Sequence, residues 1–154
     1  MKIARFETEH FFARYEFNTP YQLCNSDCET MSIEALLELA DVSITDFTKQ
    51  TLGYTESQGS PELRRNIANT YQSCSPANVV VLATPVEGIY LTARALLSPG
   101  DEVIVLSPAY DALINMFEHV VSAKNVSKWN FHSNGDGWEL RIEELVQLLS
   151  PKTK

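Results

Sequence analysis

Apolar positions in the middle of the chain predict a strand, a helix and a second strand in succession. The four consecutive apolar residues Val79–Leu82 are typical of a strand that is buried on both faces. Apolar residues then recur at helical spacing from about Val86 to Leu97, and a Ser-Pro-Gly-Asp turn leads to the apolar run Val103–Leu106. This order predicts a βαβ unit, the building block of parallel sheets that are covered by helices.

The rest of the chain shows mainly helical spacing, interrupted by polar turns. Serines precede two of the predicted helices, at Ser32 and Ser60, where a hydroxyl can accept a hydrogen bond from a first-turn amide. A proline directly follows Ser60 and marks the start of that helix. The pattern predicts helices at residues 3–15, 33–40, 44–47, 61–71, 111–121 and 140–149, a strand at 126–131, and loops at 52–59 and 134–137.

The start of the helix after Val79–Leu82 is the first candidate for chemistry. Thr84 and Glu87 have the spacing of a capping box, and Pro85 stands at the first helical position, where its missing N–H costs little. A strand that leads into a helix presents free N–H groups and the positive end of the helix dipole together, which favours an anion. A capped helix without a ligand explains the same pattern, because the cap and an anion compete for the same N–H groups.

Several segments of the chain together match the motif order of a known family. The sequence from Glu87 to Tyr110 has the pattern E-G-I-x-L-x-x-x-A-L-L-x-P-G-D-E-V-I-V-x-x-P-x-Y, and Leu52–Arg64 contains G-Y-x-x-x-x-G-x-x-x-L-R. With Trp138–Leu145, these segments resemble fold-type I, pyridoxal-phosphate-dependent aminotransferases of class I/II. The N-terminal part, notably Ala13–Phe17, resembles the subgroup that includes capreomycidine-synthase-like and arginine-oxidising relatives.

The resemblance implies a fold and a division into domains. The fold would be α/β, part of an aspartate-aminotransferase-like PLP-transferase large domain, with βαβ units, parallel strands and a helical N-terminal segment. Residues 1–50 would form that segment, as a small-domain part or dimer arm, and residues 51–154 the N-terminal part of the PLP-binding large domain. Relatives tend to end the helix after Asp111 with a glycine, a place that Ala123 takes here.

The family's residues for chemistry would lie largely beyond this stretch of sequence. Its pyridine-nitrogen aspartate, Schiff-base lysine and substrate-carboxylate arginine all belong after residue 154. Lys152 and Lys154 are no substitutes, because they stand in a polar tail where nothing would desolvate an amine and lower its pKa. The expectation is therefore a chain truncated before the Schiff-base lysine, with no catalytic residue and no metal ligand of its own.

Carried over by position, the resemblance implies contacts to pyridoxal 5'-phosphate. Thr84, Pro85 and Val86 would hold its phosphate, although Pro85 has no N–H to donate. Tyr110 would stack on the pyridine ring, and Tyr54 would reach the phosphate of the other subunit of a homodimer. A core tyrosine at a strand end is the alternative for Tyr110, and an ordinary loop aromatic is the alternative for Tyr54.

The resemblance also implies an amino-acid substrate. Glu16 and Glu56 are candidate contacts for a basic substrate group such as a guanidinium, which carboxylates bind through paired hydrogen bonds. Solvated surface acids are the simpler interpretation of both residues.

Composition narrows the classes of partner. Twelve basic residues against twenty acidic residues give a net charge of −8, and no basic patch of the kind that nucleic acid requires is present. No apolar run approaches the length of a membrane span, and acidic residues interrupt the N-terminus early, so neither a membrane segment nor a signal peptide is expected. Three cysteines without paired histidines favour reduced thiols in a cytoplasmic protein.

Two classes of function remain open at this point. In the first, the chain is the N-terminal part of a PLP-dependent aminotransferase-like enzyme that acts on the amino group of an amino acid, and it is inactive alone. In the second, it is a non-catalytic truncated domain that dimerises or docks on a full-length relative. Open strand edges and apolar faces predict self-association in either case.

Overall fold

A computed structural model describes residues 4–154, so the part of the predicted first helix that falls on residue 3 lies outside the described residues. The chain forms two compact units. The helical unit is Pro20–Val81, and the sheet unit is Leu82–Lys154 together with the N-terminal segment up to Thr19. The domain boundary predicted at residue 50 stays a prediction.

The described residues form seven α-helices and four strands, and each predicted helix is present to within about one turn of its predicted bounds. None of the described helices combines the length and the apolar character needed to cross a lipid bilayer. The elements are α1 (Glu7–Tyr15), α2 (Ile33–Leu39), α3 (Ile44–Thr48), α4 (Pro61–Ala68), α5 (Pro85–Leu96), β1 (Val103–Ser107), α6 (Ala112–Val121), β2 (Val126–Asn130), β3 (His132–Ser133), β4 (Trp138–Glu139) and α7 (Ile142–Leu148).

The sheet unit is built on one parallel βαβ crossover. Strands β1 and β2 run parallel, with Val103 opposite Val126 and Ser107 opposite Asn130, and α6 connects them. Alternate side chains of β1 are buried, as the period of a strand requires. The core formed between the strands and helices α5 and α6 contains Ala93, Val103, Val105, Val120 and Val121.

The strand predicted at Val79–Leu82 does not form. Val79 is buried and has an extended backbone, but no described strand pairs with this segment. Val80 is 57% exposed, which is inconsistent with a strand buried on both faces. An apolar run favours burial, but a strand also needs a partner strand, and the Val81 N–H donates instead to the carbonyl of Gln58, in a turn, at 2.9 Å. The parallel unit is therefore β1–α6–β2, which begins two elements later in the chain than predicted.

The end of α6 also differs from the prediction. The residue with a positive φ is Ser122 (φ 82°), whereas Ala123 begins a short 3-10 turn, Ala123–Asn125. The Asn125 side chain donates to the Val121 carbonyl at 2.6 Å. This bond gives a donor to a carbonyl at the helix end that would otherwise lack one. The positive φ at Ser122 places the reversal of the chain one residue earlier than expected.

The helical unit is held mainly by local capping. Ser32, Ser43 and Ser60 each accept a hydrogen bond from the N–H three residues later, at the starts of α2, α3 and α4. The caps predicted at Ser32 and Ser60 are thus confirmed. In this fully described unit the buried apolar residues are Ala68 and Val79. Helix starts are therefore fixed by the sequence nearby, while the unit itself encloses little apolar surface.

Candidate functional site

The N-terminal end of α5 contains the predicted anion site. Thr84 has an extended backbone, and its hydroxyl accepts from the Glu87 N–H at 3.3 Å. The Glu87 carboxylate accepts from the Ala83 N–H at 2.9 Å rather than from the N–H of Thr84, so the predicted capping box closes one residue upstream. Pro85 occupies the first helical position and is exposed, as Thr84 is, while Val86 is half-buried.

The donors at this end fit a phosphate group. The Thr84 hydroxyl can donate, and no hydrogen bond among the described residues uses the Val86 N–H. Both lie at the positive end of a helix of twelve residues, which favours a negative charge. The Glu87 carboxylate lies at the same end, where it accepts from the Ala83 N–H, and its charge would oppose that of a phosphate.

Gly88 allows the start of α5 to lie close to the segment before it. A Cβ at this position would lie 3.2 Å from Leu82 Cδ1, which is closer than most such contacts in proteins. A Cβ here would be accommodated by a small movement of the Leu82 side chain, which is 39% exposed.

Tyr110 follows β1 and is joined to helix α1. Its hydroxyl donates to Glu9 Oε1 at 2.5 Å, and the tyrosine is half-buried. This hydrogen bond, with smaller contributions from burial and from the charges of Glu9 and Asp111, raises the pKa of Tyr110 to about 12. Ligands of parallel sheets bind beyond the carboxyl ends of the strands, and Tyr110 stands three residues after Ser107, where β1 ends. Its position therefore suits contact with a bound ring.

Two residues beside Tyr110 contact the same N-terminal segment. Asp111 Oδ2 accepts from the Thr8 N–H at 3.1 Å, and Asn115 Nδ2 donates to the Arg5 carbonyl at 3.2 Å. The other oxygen of Asp111, Oδ1, is buried and has no hydrogen-bond partner among the described residues. No local sequence pattern indicates these contacts, because each joins residues more than 100 positions apart.

The remaining predicted site residues are Glu16 in the sheet unit and Tyr54 and Glu56 in the helical unit. Glu16 is half-buried directly after α1, in the sheet unit. Tyr54 and Glu56 lie in an exposed loop of the helical unit. A backbone hydrogen bond and one from the Thr55 hydroxyl lower the pKa of Glu56, so that carboxyl is held in its charged form. The roles predicted for these three residues stay predictions.

The described residues hold no cluster suited to a metal ion. Within residues 4–154, no three His, Cys, Asp or Glu side chains lie together in a way that could hold one. The candidate chemistry of this part of the chain therefore centres on the helix end at Thr84 and on Tyr110.

Comparison with known proteins gives consistent matches. A family model described as aminotransferase class I and II matches residues 20–154. The aspartate aminotransferase of Sulfurisphaera tokodaii is 29% identical over 106 residues, which are 66% of this chain and 26% of that protein. An arginine–pyruvate transaminase of Pseudomonas aeruginosa is 31% identical over 109 residues, again 66% of this chain and 26% of that protein.

Solved structures give the same result over the whole chain. A PLP-dependent aminotransferase from Streptococcus suis superposes with a TM-score of 0.88 at 26% identity, covering 100% of this chain and 41% of that one. The likeness confirms the predicted aspartate-aminotransferase-like α/β fold, of which these residues make up a part. The resemblance to the capreomycidine-synthase-like subgroup stays a prediction.

Proposed function

The chain belongs to the aminotransferase class I and II family, and on this premise we propose that it carries the phosphate-binding and ring-stacking part of an enzyme acting on the amino group of an amino acid. The family's cofactor is pyridoxal 5'-phosphate. The observation that carries the proposal is the exposed start of α5, where Thr84 is the cap and the Val86 N–H has no partner among residues 4–154. The chain spans 26% of the curated relatives and 41% of the solved structure described above, so the activity of the whole protein is part of the proposal.

Each residue of the site has a defined task in this proposal. The Thr84 hydroxyl and the Val86 N–H donate to the phosphate, and Pro85 fixes the backbone of the first helical turn. The Tyr110 ring packs against the pyridine ring and excludes water from it. The bound cofactor supplies an electron sink that weakens the bonds at the α-carbon of an amino acid, which amino-group transfer requires.

The finer assignments complete the proposal. Tyr54 contacts the phosphate held by a second copy in a homodimer, and the protein works in the cytoplasm. Glu16 and Glu56 contact the basic group of the substrate, an assignment supported by the 31% identity to an arginine–pyruvate transaminase. The charged form of Glu56, favoured by its lowered pKa, suits a guanidinium partner.

A second candidate function rests on a different observation. Large apolar side chains of the helical unit are exposed, and Leu39, at 77% exposure, is one example. Surfaces of this kind favour a covering partner. In this alternative the chain is a non-catalytic domain that dimerises or docks on a full-length relative, and it binds the cofactor weakly or not at all.

The main test is the binding of PLP to the 154-residue chain, followed by absorbance and competed by inorganic phosphate. Thr84→Val keeps the shape of the side chain and removes the hydroxyl, so we expect roughly a tenfold or greater loss of affinity. Thr92→Val, an exposed position in the middle of α5, is the matched control and should leave affinity unchanged. Equal affinities of the two variants would show that the phosphate does not lie at Thr84.

Turnover is the second part of the test. A polypeptide of these 154 residues lacks the lysine to which the family attaches its cofactor, so a panel of amino acids incubated with PLP should yield no keto acid above the rate of free PLP. Substantial turnover would contradict the proposal. PLP binding without turnover supports it, whereas absence of PLP binding favours the docking domain.

A further inference from the structure

Helix α1 begins without a cap of its own. Phe6 stands at the cap position and offers no side-chain acceptor, so the first amides of α1 need partners from elsewhere. The Asp111 carboxylate supplies one of them by accepting from the Thr8 N–H at 3.1 Å, in a partly buried position. A negative charge at a helix N-terminus is also favoured by the helix dipole. A residue 103 positions away in the chain therefore caps α1.

Asp111 gives this cap to α1 instead of to its own helix. It occupies the cap position of α6, where aspartate commonly accepts from its own first turn, yet its side chain makes no such bond. Only its backbone carbonyl takes part in α6, accepting from the Asn115 N–H at 2.8 Å. The orientation of the carboxylate toward Thr8 is thus specific to the contact between the two helices.

Two neighbouring contacts hold the same segment. Asn115, one turn further along α6, donates to the Arg5 carbonyl, and Tyr110 donates to the Glu9 carboxylate. Asn115 and Asp111 lie on one face of α6, because residues four apart are neighbours on a helix. The side chains of Tyr110, Asp111 and Asn115 therefore hold the N-terminal end of α1 by hydrogen bonds near the carboxyl end of β1.

We infer that Asp111 is a positioning residue for the predicted ring site: it caps α1 from outside and so holds that helix against Tyr110. The identity of the ring rests on the proposed function, whereas the contact between Asp111 and α1 does not. With α1 fixed in this way, the Tyr110 hydroxyl is committed to Glu9 and the tyrosine has one orientation. Helix α1 then lies along one side of the site for the ring on which Tyr110 stacks.

The first measurement is amide hydrogen exchange in α1, observed by NMR on the full chain. Asp111→Ala removes the acceptor and should speed exchange of the Thr8 N–H and its neighbours by roughly fivefold or more. Asp101→Ala is the matched control, because Asp101 also accepts from a backbone N–H, that of Ser98 at 2.8 Å, but within its own turn. Exchange in α1 should be unchanged in this control.

The second measurement is the ultraviolet titration of Tyr110, identified by difference from Tyr110→Phe. Asp111→Ala should lower the pKa of Tyr110 toward its ordinary value, because Glu9 is no longer held beside the hydroxyl. Asp111→Asn removes the same charge but keeps an oxygen that can accept from Thr8, so it should move the titration less. This pair separates positioning of α1 from a direct effect of the Asp111 charge.

A third measurement connects the contact to the cofactor. Asp111→Ala should weaken PLP binding several-fold and leave the affinity for inorganic phosphate unchanged, because inorganic phosphate needs only the start of α5. The amides of Val120 and Val121 lie at the C-terminal end of α6, in the core. They must remain protected from hydrogen exchange in each variant, which shows that the sheet unit is folded.

The inference is overturned if α1 exchanges at the same rate in Asp111→Ala and Asp101→Ala, or if Asp111→Ala and Asp111→Asn shift the Tyr110 titration equally. Failure of the proposed function has a different signature. If the unmodified chain binds no PLP, the proposed function fails, while hydrogen exchange and the tyrosine titration still decide whether Asp111 positions α1.

Discussion

The sheet unit and the helical unit differ in what holds their elements in place. In the sheet unit, strands and helices enclose a core of small and branched side chains, and Val121 is only 2% exposed. In the helical unit, three helices begin at serine caps, yet Ala68 and Val79 are its buried apolar residues. Both units contain well-formed helices, so helix formation alone does not distinguish them.

Caps between residues three positions apart occur in both units, as at Ser60 and Thr84, but the cap between distant residues lies in the sheet unit. The caps of the helical unit join residues three positions apart, whereas Asp111 and Thr8 in the sheet unit are 103 positions apart. A local cap can start a helix wherever its few residues occur, but it cannot bury side chains. The sheet unit therefore has the larger buried apolar core and is the unit in which distant residues meet.

The largest expected effect is in the core of the sheet unit. Val121→Ala removes two buried methyl groups and leaves a cavity, so the free energy of unfolding should fall by about 2 kcal/mol. Val80→Ala makes the same chemical change at a residue that is 57% exposed, and it should cost less than about 0.5 kcal/mol. Urea unfolding followed by circular dichroism measures both. Equal losses would remove the contrast between the units.

A cap of the helical unit should have the next largest effect. Ser60→Ala removes the acceptor for the Leu63 N–H and should destabilise α4 by about 1 kcal/mol, which hydrogen exchange of the Leu63 amide would report. Ser60→Asp keeps an acceptor and should retain protection. If Ser60→Ala also exposed amides of β1, local capping would be coupled to the sheet unit, contrary to the comparison.

A surface ion pair of the helical unit should contribute least at neutral pH. Lys49 Nζ lies 3.6 Å from Asp46 Oδ1, and both side chains are 70% exposed. Lys49→Ala should change the free energy of unfolding by no more than about 0.5 kcal/mol, and salt should reduce even that change. A loss above about 1 kcal/mol would mean that charge pairs stabilise this unit more than its geometry indicates.

The hydrogen bond of Tyr110 should affect the pH dependence of stability only in strongly alkaline solution. Folding raises the pKa of Tyr110 from its ordinary value of 10.0 to about 12, so folding favours the protonated phenol. The resulting stability is present below about pH 10 and is lost as the pH rises toward 12. Unfolding in urea at several values in this range should therefore show the unmodified chain losing stability relative to Tyr110→Phe. Parallel curves for the two proteins would contradict the raised pKa.

The helices and the start of the site could be predicted because their signals are local. Ser60 followed by proline, and Thr84 followed three residues later by Glu87, place the first turn of a helix within a few residues of sequence. The structure has α4 and α5 beginning at Pro61 and Pro85. The strands at 103–106 and 126–131 were also predicted from their apolar runs, but the predicted parallel unit began two elements too early, at Val79–Leu82.

The remaining features depend on residues that are distant in sequence or on backbone geometry. Val79–Leu82 has the composition of a strand, but composition does not show whether another strand pairs with it, and no described strand does. The two-residue strands β3 and β4 are too short for a periodic pattern, so the sequence indicated only the turn between them. At the site, the contact of Tyr110 with Glu9 joins residues 101 positions apart, and no spacing rule reaches that far.

The capping of α1 by Asp111 has a consequence for synthesis of the protein. A ribosome adds about 5–20 residues per second, so the 103 residues between Thr8 and Asp111 take roughly 5–20 s to make. Throughout that interval the residues of α1 lack both the cap from Asp111 and the contact with Tyr110. An isolated helix of nine residues is unstable in water, so α1 should be unfolded on the nascent chain. Helix α1 is therefore made before α6 but ordered only after it, and Phe12 stays accessible to chaperones until α6 has emerged.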